Sequence, residues 1–310
     1  MKNAREVIVM GLPPRTNDVK GMWYDGYPVH KGECENSVNY ATVYASKNNI
    51  RPDQEVLKND WLNFINTLLL ANFHLHIVPF PAELNKPDSL YHDAVFIRDS
   101  GIMYKGIWIK SRFSVPDRAF EGEFSARLMQ EKFDKTVVMV PEGGFIEGGD
   151  INYLETIDGS YYFGGLSRSN RKGHEFINEI MKPDKTLLID SEGYHLDTLF
   201  TPVVNKDNKL VALIIAKDSV NPKSYAELKR LNIEVIDIEA IDSSGTGKEL
   251  GTYAVNALIS PGIMVSSSKF ATPGVEERLE KLGVSRLIAP LRYFRFAGGS
   301  VHCLTNEIYN

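Results

Sequence analysis

The residues of this sequence best suited to chemistry fall in four short segments where reactive side chains adjoin glycines. The last, Gly298-Gly299-Ser300-Val301-His302-Cys303-Leu304-Thr305-Asn306, sets a thiol behind two glycines, where a substrate can approach closely. The plainer alternative is a buried structural cysteine, since free cysteine is among the most buried residue types. Glycines and polar neighbours weaken that alternative. In Gly193-Tyr194-His195-Leu196-Asp197-Thr198, a strand would place His195 and Asp197 on one face. An imidazole and a carboxylate so placed can serve as acid/base and cation anchor, or form a mere surface pair.

The third segment, Glu142-Gly143-Gly144-Phe145-Ile146-Glu147-Gly148-Gly149-Asp150, holds two Glu-Gly-Gly copies. Glycine at this density also marks ordinary turns, yet Glu147 and Asp150 bring carboxylates to a backbone that a ligand can reach. The fourth, Phe96-Ile97-Arg98-Asp99-Ser100-Gly101, ends an apolar run on an Arg-Asp pair, which elsewhere is often a strand-end ion pair. Together these segments supply a thiol, a histidine and several carboxylates. Carboxylates suit a planar cation such as guanidinium, because each can accept paired N–H bonds. Thiol attack on the central carbon would give a covalent tetrahedral adduct, and protonation by histidine would expel an amine. Water would then complete the turnover.

In this order the segments resemble the guanidino-group-modifying enzymes: arginine deiminases, arginine dihydrolases, dimethylarginine dimethylaminohydrolases and glycine amidinotransferases. The superfamily pattern is Arg-Asp, Glu-Gly-Gly-Asp, His-Leu-Asp-Thr and a glycine-rich turn into the nucleophilic cysteine. All four occur here within residues 98–305. The resemblance implies an α/β fold, a five-bladed αβ propeller with pseudo-fivefold symmetry, and no cofactor or metal.

The same resemblance implies the roles. Cys303 is the nucleophile and His195 the general acid/base. Glu147 orients the histidine and contacts the guanidinium, while Asp99 and Asp197 grip its nitrogens. Arg168, in Gly165-Leu166-Ser167-Arg168-Ser169-Asn170, is similar to the arginine that binds the substrate's α-carboxylate. Arg118 lies where deiminases place a second such arginine. Asp197 favours unmethylated arginine. Dimethylaminohydrolases tend to have Lys at that position, and a dimethylated nitrogen would leave the carboxylate short of a donor, at a cost of about 1–3 kcal/mol. The expected reaction is hydrolysis of arginine or a close derivative to citrulline and ammonia, or on to ornithine. Dimethylargininase and amidinotransferase activity are the alternatives, and a non-catalytic binding protein a remoter one. The glycine turn, Ala297-Gly298-Gly299-Ser300, lacks a third glycine, and 310 residues leave little room for the helical insertion of long deiminases.

Holding these segments requires alternating elements. β-Branched runs predict strands over 6–10, 76–79, 94–97, 136–140, 161–164, 186–189, 210–215, 233–238, 263–266 and 286–289. Amphipathic spacing predicts helices over 53–71, 118–131, 170–181, 222–231 and 274–282. These recur at roughly 50 to 60 residues, and no linker divides them, so one domain over 1–310 is expected. A doubly wound nucleotide-binding sheet is disfavoured, because Gly11-Leu12-Pro13-Pro14 puts prolines where a phosphate loop needs N–H groups.

A net charge of -5 with scattered Lys and Arg argues against nucleic acid as a partner and leaves a small-molecule substrate. No stretch approaches the about 18 apolar residues that cross a bilayer, and residues 7–10 are too short for a signal-peptide core. Two cysteines in 310 residues point to a reducing cytoplasm. A homodimer is the default assembly. Cys34, between Glu33 and Glu35, is expected to be inert, because neighbouring carboxylates disfavour a thiolate. The polar loop over 26–39 could form a lid, with Asn39 reaching the substrate. His30, His74, His76, His92, His174 and His302 lack metal-site spacing and read as core or edge histidines.

Overall fold

A computed structural model of the chain describes residues 5–14, 23, 26, 27, 29, 39–85, 91–246 and 248–309. In chain order, β1 (Glu6–Met10) leads through α1 (Tyr40–Lys47) and α2 (Gln54–Leu70) to β2 (His74–Val78). Next come β3 (Gly101–Tyr104), β4 (Ile107–Lys110), α3 (Ala119–Phe133) and β5 (Thr136–Met139). Then follow β6 (Ile151–Thr156), β7 (Gly159–Gly165), α4 (Arg171–Met181) and β8 (Lys185–Ile189). The same order repeats in β9 (Phe200–Val204), β10 (Leu210–Ile215), α5 (Pro222–Lys229) and β11 (Glu234–Asp237). It repeats again in β12 (Leu258–Ser260), β13 (Ile263–Ser266), α6 (Val275–Lys281) and β14 (Ser285–Ile288), and the chain returns as β15 (Thr305–Tyr309).

Pairing reveals one unit used five times among the described residues. Its middle strand runs antiparallel to the first and parallel to the third, with helix between second and third. That describes β3-β4-β5, β6-β7-β8, β9-β10-β11 and β12-β13-β14. The fifth unit joins the chain ends: β1 pairs antiparallel with β15 and parallel with β2. Parallel pairing of β15 with β3 fuses two units into a six-stranded sheet, while the other three units form separate three-stranded sheets. No sheet closes into a barrel. The fold is mixed α/β.

Local chemistry explains the helices. Asp53 and Asn170 cap α2 and α4, accepting from Val56 N and Gly173 N at 3.0 and 2.9 Å. The apolar stripe of α2 buries Leu57, Phe64 and Leu68 beside Trp108 and Phe294. Each such side chain contributes about 1.5–3 kcal/mol by leaving water. A second core packs Val203, Leu213, Ile236 and Leu279 between the later units.

The sequence expectation lacks strands β3, β4, β6, β9, β12 and β15, and it differs at one turn. Residues 94–97, expected as a strand, lie in two 3₁₀ turns, Tyr91–Val95 and Ile97–Ser100. The run is apolar because it is buried in the core, and Phe96 N→Asp93 O (2.9 Å) and Asp99 N→Phe96 O (3.1 Å) close the turns. Helix α1, unforeseen in a polar stretch, starts at Asn39. No helix among the described residues is long and apolar enough to cross a membrane.

Candidate active site

The four motif segments occupy one structural position. Each is the turn that enters the first strand of a unit: 97–100 before β3, 148–150 before β6, 196–198 before β9 and 300–304 before β15. The remaining unit contributes Asn256, two residues before β12. These turns meet around a small pocket, whose lining includes Asp99, Arg118, Arg168, His195, Gly299 and Cys303.

Cys303 is 2% exposed, and three groups fix it. Asn256 Oδ1 accepts from the backbone N–H groups of His302 (3.0 Å) and Cys303 (3.3 Å), while Asn256 Nδ2 donates to Sγ at 3.1 Å. The thiol in turn donates to Asp197 Oδ2 at 3.3 Å. Burial, then the charges of Asp197 and Asp99, push the thiol well above its ordinary value. At neutral pH the resting thiol keeps its proton.

His195 sits between two carboxylates. Its Nε2 lies 2.8 Å from Glu147 Oε2, and its Nδ1 3.5 Å from Asp99 Oδ1. Burial works against the imidazolium, but Asp99 and then Glu147 outweigh it and raise His195 to about 9. Glu147 Oε1 accepts from Ser114 N and Oγ, both at 2.9 Å, and Arg168 Nη1 stands 3.9 Å from Oε2. Burial disfavours the Glu147 carboxylate too, yet the His195 bond and Arg168 hold it at about 2. The glycine at 149 has a direct reason here. A Cβ on it would come within 2.7 Å of His195 Nδ1 and 2.8 Å of Asp99 Oδ1.

Asp99 Oδ2 accepts from Arg118 Nη1 at 2.8 Å. Asp99 Oδ1 and Asp197 Oδ1 are both buried and meet no hydrogen-bond donor among the described residues. Asp99 lines the pocket directly and Asp197 adjoins it through the Cys303 thiol, and such acceptors suit a cation with several N–H groups. Arg118 reaches the pocket with its charge already shared. Besides Asp99 it donates to Glu121 Oε1 and Oε2 at 3.0 and 2.7 Å, and all three side chains are buried. Arg168 lies over the Tyr194 ring, 5.3 Å from its centroid.

His195 and Asp197 do not share a strand face as the residue count suggested. Leu196–Thr198 is a 3₁₀ turn because the buried Asp150 carboxylate captures the Leu196 N–H at 3.0 Å, and Thr198 Oγ1 bonds to the His195 carbonyl at 2.7 Å. The histidine therefore turns to Glu147, and Asp197 to Cys303. The other Asp150 oxygen accepts from the backbone of Arg168 and Ser169 at 3.2 and 2.8 Å. Asp150 is thus the tie between two turns rather than a group facing a ligand. Burial raises it to about 6.

Asn39 lines the pocket, donating to Ala297 O at 2.9 Å and capping α1 through Ala41 N and Thr42 N. Cys34 and most of the expected lid over 26–39 lie outside the described residues. Nothing in the sequence singles out Asn256 or Tyr194. His302 is buried, as expected of a core histidine, and its Nδ1 lies 2.8 Å from Asp197 Oδ2. The signal for Asn256 is positional: it stands where the other units carry Asp99 and Cys303, two residues before the strand.

No family model matches the chain. The bifunctional arginine dihydrolase/ornithine cyclodeaminase ArgZ of Synechocystis sp. is 27% identical over 230 residues, covering 73% of this chain and 30% of that protein. AgrE of Nostoc sp., of the same description, is 23% identical over 244 residues, covering 73% and 31%. The chain spans under a third of the length of these curated relatives. Among solved structures, the product-bound N-terminal domain of ArgZ superposes with a TM-score of 0.72 at 20% identity, covering 98% of this chain and 97% of that one. A dimethylarginine dimethylaminohydrolase adduct superposes at 0.64 and 17% identity, covering 98% and 99%. The chain has the α/β fold of the guanidino-group-modifying enzymes, the superfamily that its four motif segments resemble.

Proposed function

We propose that the chain hydrolyses the guanidinium C–N bond of L-arginine or a close derivative through a covalent adduct on Cys303. One observation carries the reading: Asp99 and Asp197, two buried carboxylates each with an oxygen that makes no hydrogen bond among the described residues, adjoin a thiol in a pocket that a charged histidine also lines. The guanidinium offers its N–H groups to those oxygens. Its positive charge offsets the carboxylates that push the thiol up, so Cys303 releases its proton to solvent as the substrate settles, His195 being already protonated. The thiolate attacks the guanidinium carbon, and His195 gives its proton to the departing nitrogen, which leaves as ammonia. Neutral His195 then takes a proton from water, whose oxygen attacks the same carbon, and Sγ departs with the bonding pair. Citrulline results, or ornithine after a second hydrolysis. Glu147 keeps the imidazole oriented throughout.

Arg168 is the group offered to an α-carboxylate. Arg118, already shared with Glu121, holds Asp99 in place as well as standing at the pocket wall. The architecture goes with this reading as a five-bladed propeller of pseudo-fivefold symmetry and one catalytic domain over 1–310. Five units of the same strand pairing, whose entry turns lie at or next to the pocket, support it. So does the relationship to the arginine dihydrolase/ornithine cyclodeaminases ArgZ and AgrE.

The test is to supply L-arginine in metal-free buffer and follow citrulline, ornithine and ammonia together, with methylarginines and arginine plus glycine as parallel arms. Citrulline or ornithine from arginine alone is expected, and their ratio gives the end product. Consumption only in a parallel arm, or in none, overturns the arginine hydrolase.

A further inference from the structure

Adjacent residues His302 and Cys303 converge on a single atom. His302 Nδ1 lies 2.8 Å and Cys303 Sγ 3.3 Å from the same oxygen, Asp197 Oδ2. The opposite oxygen, Asp197 Oδ1, meets no donor among the described residues. Both convergent residues are anchored by one acceptor, because Asn256 Oδ1 takes both of their backbone N–H groups.

We propose that His302 is a positioning residue that reserves Asp197 Oδ2 for the Cys303 thiol and so leaves Oδ1 for the substrate cation. A carboxylate can otherwise turn about its terminal bond and present both oxygens to a guanidinium, which would strip the thiol of its partner. The donor at Nδ1 stops that rotation and partly offsets the carboxylate charge that bears on Sγ. The ring does not line the substrate pocket. It borders a separate small crevice with Asn152 and Glu307, so it acts through Asp197. The charged groups that face it are Asp197 from the 196–198 turn and Glu307 from β15, the latter paired with Arg98 at 3.0 Å and Arg5 at 3.5 Å. Arg98 Nε also donates to the His302 carbonyl at 3.4 Å. The half of the inference that concerns Oδ1 rests on the guanidinium reading; the half that concerns the thiol does not.

The experiment follows alkylation of Cys303 by iodoacetamide against pH in the substrate-free protein, comparing the unaltered chain with His302→Gln and His302→Asn. The Gln amide reaches the Nε2 position and leaves Nδ1 without a counterpart, whereas the Asn amide stands where Nδ1 stands. Losing a hydrogen bond to a charged group should slow alkylation near neutral pH by about tenfold in the Gln variant. The Asn variant should return it to within about twofold of the original. A Gln variant whose profile matches or exceeds the unaltered rate, or an Asn variant as slow as Gln, overturns the proposal. Because no arginine is present, a chain that fails to hydrolyse arginine would sink the proposed activity and leave this result standing.

Discussion

Glu147 Oε2 and His195 Nε2 lie 2.8 Å apart with both side chains buried, so the carboxylate keeps the imidazole charged well above its ordinary range. A histidine raised from 6.5 to about 9 adds stability that is full below pH 6.5 and lost as pH rises through 9. The same titration removes the proton that the leaving nitrogen needs. Activity should therefore fall on the alkaline side near pH 9. Glu147→Gln withdraws one of the three carboxylates that raise it and should move that limb down by about a unit or more. A pH–rate profile whose alkaline limb is the same in both proteins would speak against His195 as the acid.

Asp99 offers Oδ1 to the pocket and also adds to the field that keeps the thiol protonated. Asp99→Asn should therefore act in opposite directions on two readouts. kcat/KM for arginine should drop by roughly ten- to a hundredfold, as a charged hydrogen bond of about 1.5–3 kcal/mol is lost. Cys303 alkylation without substrate should become faster. If both rates decline together, the carboxylate is serving the fold rather than the cation.

Asp150 accepts three backbone N–H groups from two turns while wholly buried. Asp150→Ala leaves those donors without a partner. Unfolding in denaturant should show a loss of about 3 kcal/mol or more, with the slope unchanged. A midpoint within error of the original would mean that the two turns hold themselves.

Gly149 has no room for a methyl group, since its Cβ would press on His195 Nδ1 and Asp99 Oδ1. Gly149→Ala should reduce kcat by about a hundredfold or more through a displacement of an ångström or less. Arginine-free circular dichroism should stay near that of the unaltered chain. Full activity in this variant would show that the pocket is looser than the packing indicates.

The elements legible in the sequence were those whose local chemistry decides them. Asp53 and Asn170 mark the starts of α2 and α4, and the run Leu210–Ile215 is a strand with the expected limits. Residues 94–97 misled because an unbroken apolar run records burial, which a 3₁₀ turn in a core satisfies as well as a strand. Strand β12 is only three residues long and offers no pattern to read. In the site, glycines beside reactive side chains drew attention to Cys303, His195, Glu147 and Asp99. Asn256 sits among Tyr253, Ala254, Val255 and Ala257, where nothing local marks it; its place comes from the repeat. The ion pairing of Arg118 with Glu121 and Asp99 likewise depends on tertiary contacts that spacing does not encode.

The central claim is that Cys303 Sγ bonds to the guanidinium carbon. Acid quench during turnover of L-arginine, followed by peptide mass measurement, reads this directly. The expected result is an adduct on the peptide containing Cys303 that retains the amino-acid backbone, because ammonia leaves first, and no adduct in Cys303→Ser. A bare amidino group on Cys303 would mean that ornithine leaves first and would point to an amidinotransferase. Steady turnover with no mass change on that peptide, or undiminished turnover in the Ser variant, would contradict covalent catalysis at this thiol.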